Sequence, residues 1–239
     1  VKRGIAVINC PVHNAEAVAE YTIGLMIAET RNISRSHCSL KNGVWREGYP
    51  NSDRVPELNS STIGLIGFGT IGKLVAKKLK GFNAKIMVSD PYLSNKVIRN
   101  EGGIPVDLNT LLKESDIVSL HSRLTDSTKH MIGQREFGLM KSSAYFINTA
   151  RAGLVDMNAL RKVLSEKRIA GAALDVYENE PVTREEPLFE LDNVTVTNHR
   201  GGDTLNSYWK APLILKKQVE DFFNEIKPDF LVNFQMFST

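Results

Sequence analysis

Three side chains suited to handling charge and protons at a reacting carbonyl occur in order along this chain. They are Arg151 in Asn148-Thr149-Ala150-Arg151, Glu180 before Pro181, and His199 shortly before Gly201-Gly202. An arginine supplies a fixed cation, a histidine exchanges a proton near neutral pH, and a carboxylate can orient and tune the imidazole. Upstream stands Gly67-Phe68-Gly69-Thr70-Ile71-Gly72, with Asp90 closing the next apolar run. Taken singly, such residues are usually solvated charges, structural histidines or plain turns. Their order and spacing together propose hydride transfer at a carbonyl carbon beside a bound dinucleotide.

The elements needed to position these residues can be read from the apolar pattern. Runs at 62–66, 85–89, 116–120, 144–147, 170–174 and 194–196 are short and continuously apolar, and helical patterns fall between most of them, notably 70–80 and 156–167. Such runs bounded by helices mark strands buried on both faces of a parallel sheet. The expected fold is α/β, a Rossmann-type doubly wound parallel sheet. Before it, residues 5–8 suggest an opening strand. Asn14 suggests the N-cap of a helix to about Arg31, and 41–60 reads as a loop rich in Gly, Pro, Asn and Ser. A long amphipathic helix is expected over 204–226, interrupted early by Pro212.

Within the glycine run, Gly67 permits the tight turn, Gly69 lets the backbone approach a pyrophosphate, and Gly72 lets the helix pack closely on its strand. The helix that opens at Thr70 and Ile71 offers N–H groups and partial positive charge to phosphates. Asp90 is placed to accept from an adenosine ribose 2′-hydroxyl and would repel a 2′-phosphate, so NAD is expected rather than NADP.

Further segments carry a family resemblance. Gly67 to Gly72, Leu120-His121-Ser122-Arg123-Leu124-Thr125, Ile147 to Asp156, Gly171 to Val176, Glu180-Pro181 and Thr197-Asn198-His199 together resemble the D-isomer-specific 2-hydroxyacid dehydrogenases. That family includes phosphoglycerate, glyoxylate/hydroxypyruvate and D-lactate dehydrogenases. The resemblance covers nearly the whole chain. It implies an NAD-dependent enzyme acting on a small 2-hydroxy or 2-oxo acid. Arg151 would hold the substrate carboxylate and polarise the carbonyl, His199 would move the proton, and Glu180 would hydrogen-bond the imidazole and favour its protonated form. Asp175 would meet the nicotinamide carboxamide, and Ser122, Thr149 and Ala150 would line the nicotinamide side. Arg151, His199 and Gly201 complete the expected cofactor contacts. No metal is implied, because Arg151 stabilises the charge itself.

The chain departs from the family pattern at several positions. Arg123 and Asn198 stand where Pro is usual, Arg200 replaces a small or apolar residue, Asp203 replaces Ser or Ala, and Ala152 replaces Gly. Arg200 would oppose Glu180 by disfavouring an imidazolium. Arg123 or Arg200 is expected to reach an extra anionic group on the substrate. His121 is expected to be a lining residue, and nothing singles out His13, His37 or His130. The same fold also resembles the C-terminal-binding-protein co-repressors, so a regulatory NAD-binding module without turnover is the alternative.

Composition bounds the remaining possibilities. An apolar fraction of 42% and a net charge of +3 over 239 residues describe an ordinary globular protein. The basic residues are scattered, which gives no case for nucleic acid, and no apolar stretch is long enough to span a bilayer. Cys10 and Cys38 lie far apart and suggest neither zinc nor a disulfide framework, so a reducing cytoplasm is expected. The chain starts without Met, at the edge of an apolar stretch, as a piece of a longer protein would. Residues 1–60 are expected to be an entry strand, helix and loop of the nucleotide-binding domain, and 61–203 its NAD-binding core. Residues 204–239 would form a helix and tail returning toward a substrate domain whose N-terminal part is lacking. A homodimer pairing through the 14–31 helix is also expected from the resemblance.

Overall fold

The computed structural model describes residues 5–46 and 48–233. Two compact units are present: residues 18–201, and the described residues up to Ala17 together with those from Gly202 onward.

The larger unit is built on seven parallel strands. These are β1 Thr62–Ile66, β2 Lys85–Ser89, β3 Ile104–Pro105, β4 Ile117–Leu120, β5 Tyr145–Asn148, β6 Gly171–Leu174 and β7 Val194–Val196, in the order β3-β2-β1-β4-β5-β6-β7. Every neighbouring pair is parallel. Both faces are covered, and alternation along each strand divides the side chains between two cores. Val118, Leu120, Phe146, Ala172 and Leu174 enter one core, with Leu111, Leu112, Phe137 and Leu160. Ile63, Leu65, Ile117, Tyr145, Ile147 and Ala173 enter the other, with Met26, Val75 and Leu79. That two-sided burial explains why β4, β5 and β6 are continuously apolar or small in sequence rather than alternating. The direction of winding reverses between β1 and β4, and a crevice opens there beyond the carboxyl ends of the strands.

The helices are α1 Ala15–Thr30, α2 Ile33–Lys41, α3 Thr70–Leu79, α4 Asn95–Asn100, α5 Leu108–Glu114, α6 Gln134–Phe137, α7 Met157–Ser165 and α8 Leu205–Phe223. The expected helices at 14–31, 70–80 and 156–167 are thus present to within about two residues. Asp156 caps α7 by accepting from the N–H groups of Asn158 and Ala159 at 3.0 and 3.2 Å.

Three expectations are corrected. Residues 5–8 form no strand; Ile8 makes a single antiparallel bridge to Leu231, and Ile5 and Val7 remain too exposed to anchor a sheet edge. The segment before the expected 41–60 loop is helical as α2, which buries no residue. The loop itself closes in a short 3₁₀ turn, Leu58–Ser60. Pro212 does not interrupt α8, which runs through it. Proline removes one ladder bond, but Pro212 and Tyr208 are both exposed, so water can reach the freed carbonyl.

Candidate active site

The expected site residues inside the larger unit all follow the carboxyl end of a strand. Gly67 comes after β1, Asp90 after β2, Ser122 after β4, Thr149 to Arg151 after β5, Asp175 after β6, and His199 to Gly201 after β7. Parallel pairing therefore collects, along one edge of the sheet, residues that are far apart in sequence.

The turn after β1 requires glycine twice. Gly67 sits at φ +90, and a Cβ there would lie 2.6 Å from the Ser122 backbone nitrogen. A Cβ at Gly72 would lie 2.5 Å from the Gly67 carbonyl oxygen, which measures how closely α3 packs on the turn. Gly69, by contrast, faces open space. It is the N-cap of α3 and no side chain caps the helix start, so the first-turn N–H groups of Thr70, Ile71 and Gly72 are available to an anion. Ser122 Oγ donates to the Ile66 carbonyl at 3.2 Å, tying the β4 loop to the β1 turn.

Asp90 Oδ2 accepts the Phe68 N–H at 2.8 Å and Oδ1 accepts the Tyr92 N–H at 2.9 Å. The carboxylate is thus fixed in place, while each oxygen keeps a lone pair for a hydroxyl donor. Gly67, Gly69, Asp90, Tyr92, Asp107, Arg123, Thr125 and Thr128 lie among the lining of a cavity of about 780 Å³. That size suits the adenosine half of a dinucleotide. A free turn, an uncapped helix start, a fixed acceptor and a cavity of this size fit NAD. His121 lines the same cavity. Burial pushes its imidazole down to about 4, and Nε2 meets Ser119 Oγ at 3.0 Å. A neutral ring at pH 7 matches a lining role rather than a second acid.

The expected trio of Arg151, Glu180 and His199 is held by a set of braces. His199 Nδ1 meets Glu180 Oε2 at 2.6 Å, and Glu180 Oε1 accepts the Tyr177 N–H at 2.9 Å. Burial raises the Glu180 carboxyl, but the His199 bond, the Tyr177 N–H and the charges of His199 and Arg151 outweigh it and hold it below its ordinary value. An ionised carboxylate can only accept, so Nδ1 carries the hydrogen and Nε2 is the atom left for proton exchange. Arg151 comes from a loop strapped by Asn148, whose Oδ1 accepts the Ala150 N–H and whose Nδ2 donates to the Arg151 carbonyl, both at 3.0 Å. Arg151 Nη1 donates to the Ala150 carbonyl at 2.6 Å. Thr22 Oγ1 gives its hydrogen to the Val18 carbonyl, so in the 2.7 Å pair of hydroxyls Thr149 is the donor.

Asp175 also braces the loop that carries His199. It is 1% exposed. Oδ1 accepts the Thr197 hydroxyl at 2.6 Å and the Arg200 N–H at 2.9 Å, and Oδ2 accepts the Gly201 N–H at 2.8 Å. These donors flank His199, which itself sits in the left-handed region at φ +57. Asp175 therefore clamps the loop that presents the imidazole. Asn148, Thr197 and Tyr177 are the supports that sequence reasoning missed. Asn148 and Thr197 stand inside the quoted motifs, whereas Tyr177 gave no signal.

The family model of the D-isomer specific 2-hydroxyacid dehydrogenase NAD binding domain matches residues 23–201. The chain belongs to this family. It is 41% identical over 221 residues to a D-3-phosphoglycerate dehydrogenase of Methanocaldococcus jannaschii, covering 92% of this chain and 41% of that relative. It is also 41% identical over 237 residues to a glyoxylate reductase of Thermococcus litoralis, covering 97% of this chain and 71% of the relative. The crystal structure of D-lactate dehydrogenase with NAD+ from Lactobacillus jensenii superposes with a TM-score of 0.85 at 31% identity, over 96% of this chain and 72% of that one. The chain thus spans well under half of the phosphoglycerate dehydrogenase and about seven-tenths of the other two, and the matched part is the family's NAD binding domain. Among the described residues no helix is long and apolar enough to cross a membrane.

Proposed function

We propose that the protein bearing this chain interconverts a D-2-hydroxy acid and its 2-oxo acid, with NAD as cofactor and phosphoglycerate-type acids among the candidate substrates. The observation that carries this reading is the His199–Glu180 bond at 2.6 Å in the same unit as Arg151 and the glycine-lined cavity. When bound, the cofactor supplies or accepts the hydride. Arg151 holds the substrate carboxylate and draws charge from the carbonyl. His199 gives a proton from Nε2 to the forming alkoxide in reduction, or takes one in oxidation. Glu180 fixes the ring's orientation through Nδ1. Gly67, Gly69, Thr70, Ile71, Gly72 and Asp90 hold the adenosine and phosphate side. Ser122, Thr149, Ala150, Arg151, Asp175, His199 and Gly201 border the nicotinamide side, with Asp175 toward the carboxamide. The relatives are dehydrogenases and reductases, which favours turnover over a purely regulatory module.

We further assign 61–203 to the NAD-binding core, with 1–60 leading into it and 204–239 as the tail, an assignment supported by the compact unit over 18–201. A homodimer pairing through the 14–31 helix is part of the same proposal, and the exposed Ile33, Leu40 and Trp45 just beyond that helix support an apolar contact there. A cytoplasmic location accords with two free cysteines. The test is NADH oxidation with a panel of 2-oxo acids, measured for the protein and for His199→Ala and Arg151→Ala. Rates should fall roughly 10²–10⁴-fold, far more than NADH affinity does. Unchanged rates in both variants would overturn the assignment of roles.

A further inference from the structure

Arg123 follows β4 by three residues and lines the cavity that also exposes Gly67, Gly69 and Asp90. Its side chain is exposed, and no described residue accepts a hydrogen bond or forms an ion pair with its guanidinium; only its backbone carbonyl is engaged, by Thr128 Oγ1 at 2.7 Å. Neither of the two carboxylates that line this cavity forms an ion pair with that guanidinium. Asp90 accepts from the N–H groups of Phe68 and Tyr92, and Asp107 accepts from the Thr110 N–H and hydroxyl at 3.0 and 2.6 Å. The cavity therefore offers a guanidinium without an acceptor beside a helix start whose own N–H groups carry no side-chain cap. Both features raise the local positive potential, and both are relieved by a ligand that brings anionic oxygens. A guanidinium is suited to phosphate by its planar fork of donors.

We propose that Arg123 is a cofactor-binding residue that pairs with a phosphate oxygen of the dinucleotide, rather than with an anionic group of the substrate. This rests on the assignment of the cavity to the cofactor. The pyrophosphate common to NADH and NADPH, and the 2′-phosphate of NADPH alone, share the chemistry that Arg123 would recognise.

The experiment is a fluorescence titration of NADH and of NADPH into wild-type protein, Arg123→Leu and Arg123→Lys, at low and high salt, with thermal melts to establish that each variant is folded. Arg123→Leu should weaken binding roughly tenfold and flatten its salt dependence, and Arg123→Lys should restore part of both. Equal weakening of the two dinucleotides would place Arg123 on the pyrophosphate; weakening of NADPH alone would place it on the 2′-phosphate. Unchanged affinity for both would overturn the proposal, as would a variant that raises KM for 2-oxo acids while binding NADH as wild type does. Failure of the wild-type protein to bind either dinucleotide would remove the cofactor assignment and this proposal together. Wild-type binding with an indifferent variant removes this proposal alone.

Discussion

Replacing Asp175 with Asn tests whether the imidazole loop is held by a buried carboxylate. The native carboxylate receives three hydrogen bonds, two on Oδ1 and one on Oδ2. In the less costly orientation, the Asn oxygen keeps the Thr197 hydroxyl and the Arg200 N–H, while its amide group faces the Gly201 N–H donor to donor. One bond to a charged acceptor, worth about 1.5–3 kcal/mol, is lost, and the Gly201 N–H is left buried without a partner. The two remaining bonds also lose their charge assistance. A net destabilisation of about 3 kcal/mol follows, which for a unit of this size lowers the melting temperature by roughly 6–12 °C. The same change should lower turnover more than NADH affinity, because the loop it loosens carries His199 rather than the glycine turn. Urea unfolding and thermal melting of the variant beside wild type provide the measurement. A loss smaller than about 1 kcal/mol would refute the clamp, since it would mean that these donors find equivalent partners without the carboxylate.

Other expectations follow from single contacts. Gly67→Ala forces a side chain onto φ +90 and against the Ser122 backbone; it should cost at least about 1–2 kcal/mol and abolish saturable NADH binding, read by melting and titration. His121 resists protonation in the fold down to about 4, whereas in the unfolded chain it protonates near 6.5. Its contribution is therefore complete above pH 6.5 and is lost as pH falls toward 4, by up to about 3 kcal/mol, and His121→Gln should remove that part of the pH slope in urea unfolding. Glu180 is held below its ordinary value, so its contact with His199 should persist until pH falls below the usual carboxylate range. Glu180→Gln should reduce kcat well beyond its effect on NADH affinity, measured by steady-state rates and titration.

The sheet was legible in the sequence because both of its faces are buried, so β1, β2 and β4 to β7 appear as short, mainly apolar runs. β3 escaped because two residues carry no pattern, and α2 because its few apolar positions stand among polar residues. The Gly67–Gly72 turn was legible because only glycine suits the geometry at Gly67 and Gly72. The trio of Arg151, Glu180 and His199 was found by residue type and order. What Asp175 does could not be read, because its donors lie more than twenty positions downstream and reach it only through the pairing of β6 with β7. The place of Arg123 was likewise hidden: its sequence neighbours do not reveal that β4 lies beside β1, which brings the β4 loop to the glycine turn.

The central claim is that the cavity after β1 binds the dinucleotide and presents it to the loop bearing His199. NADH titrated by fluorescence, with 2-oxo acids then added to the same sample, tests it most directly. Saturable binding, with oxidation that depends on His199 once a matching 2-oxo acid is present, is the predicted result. A folded protein that shows no saturable NADH binding would contradict the account.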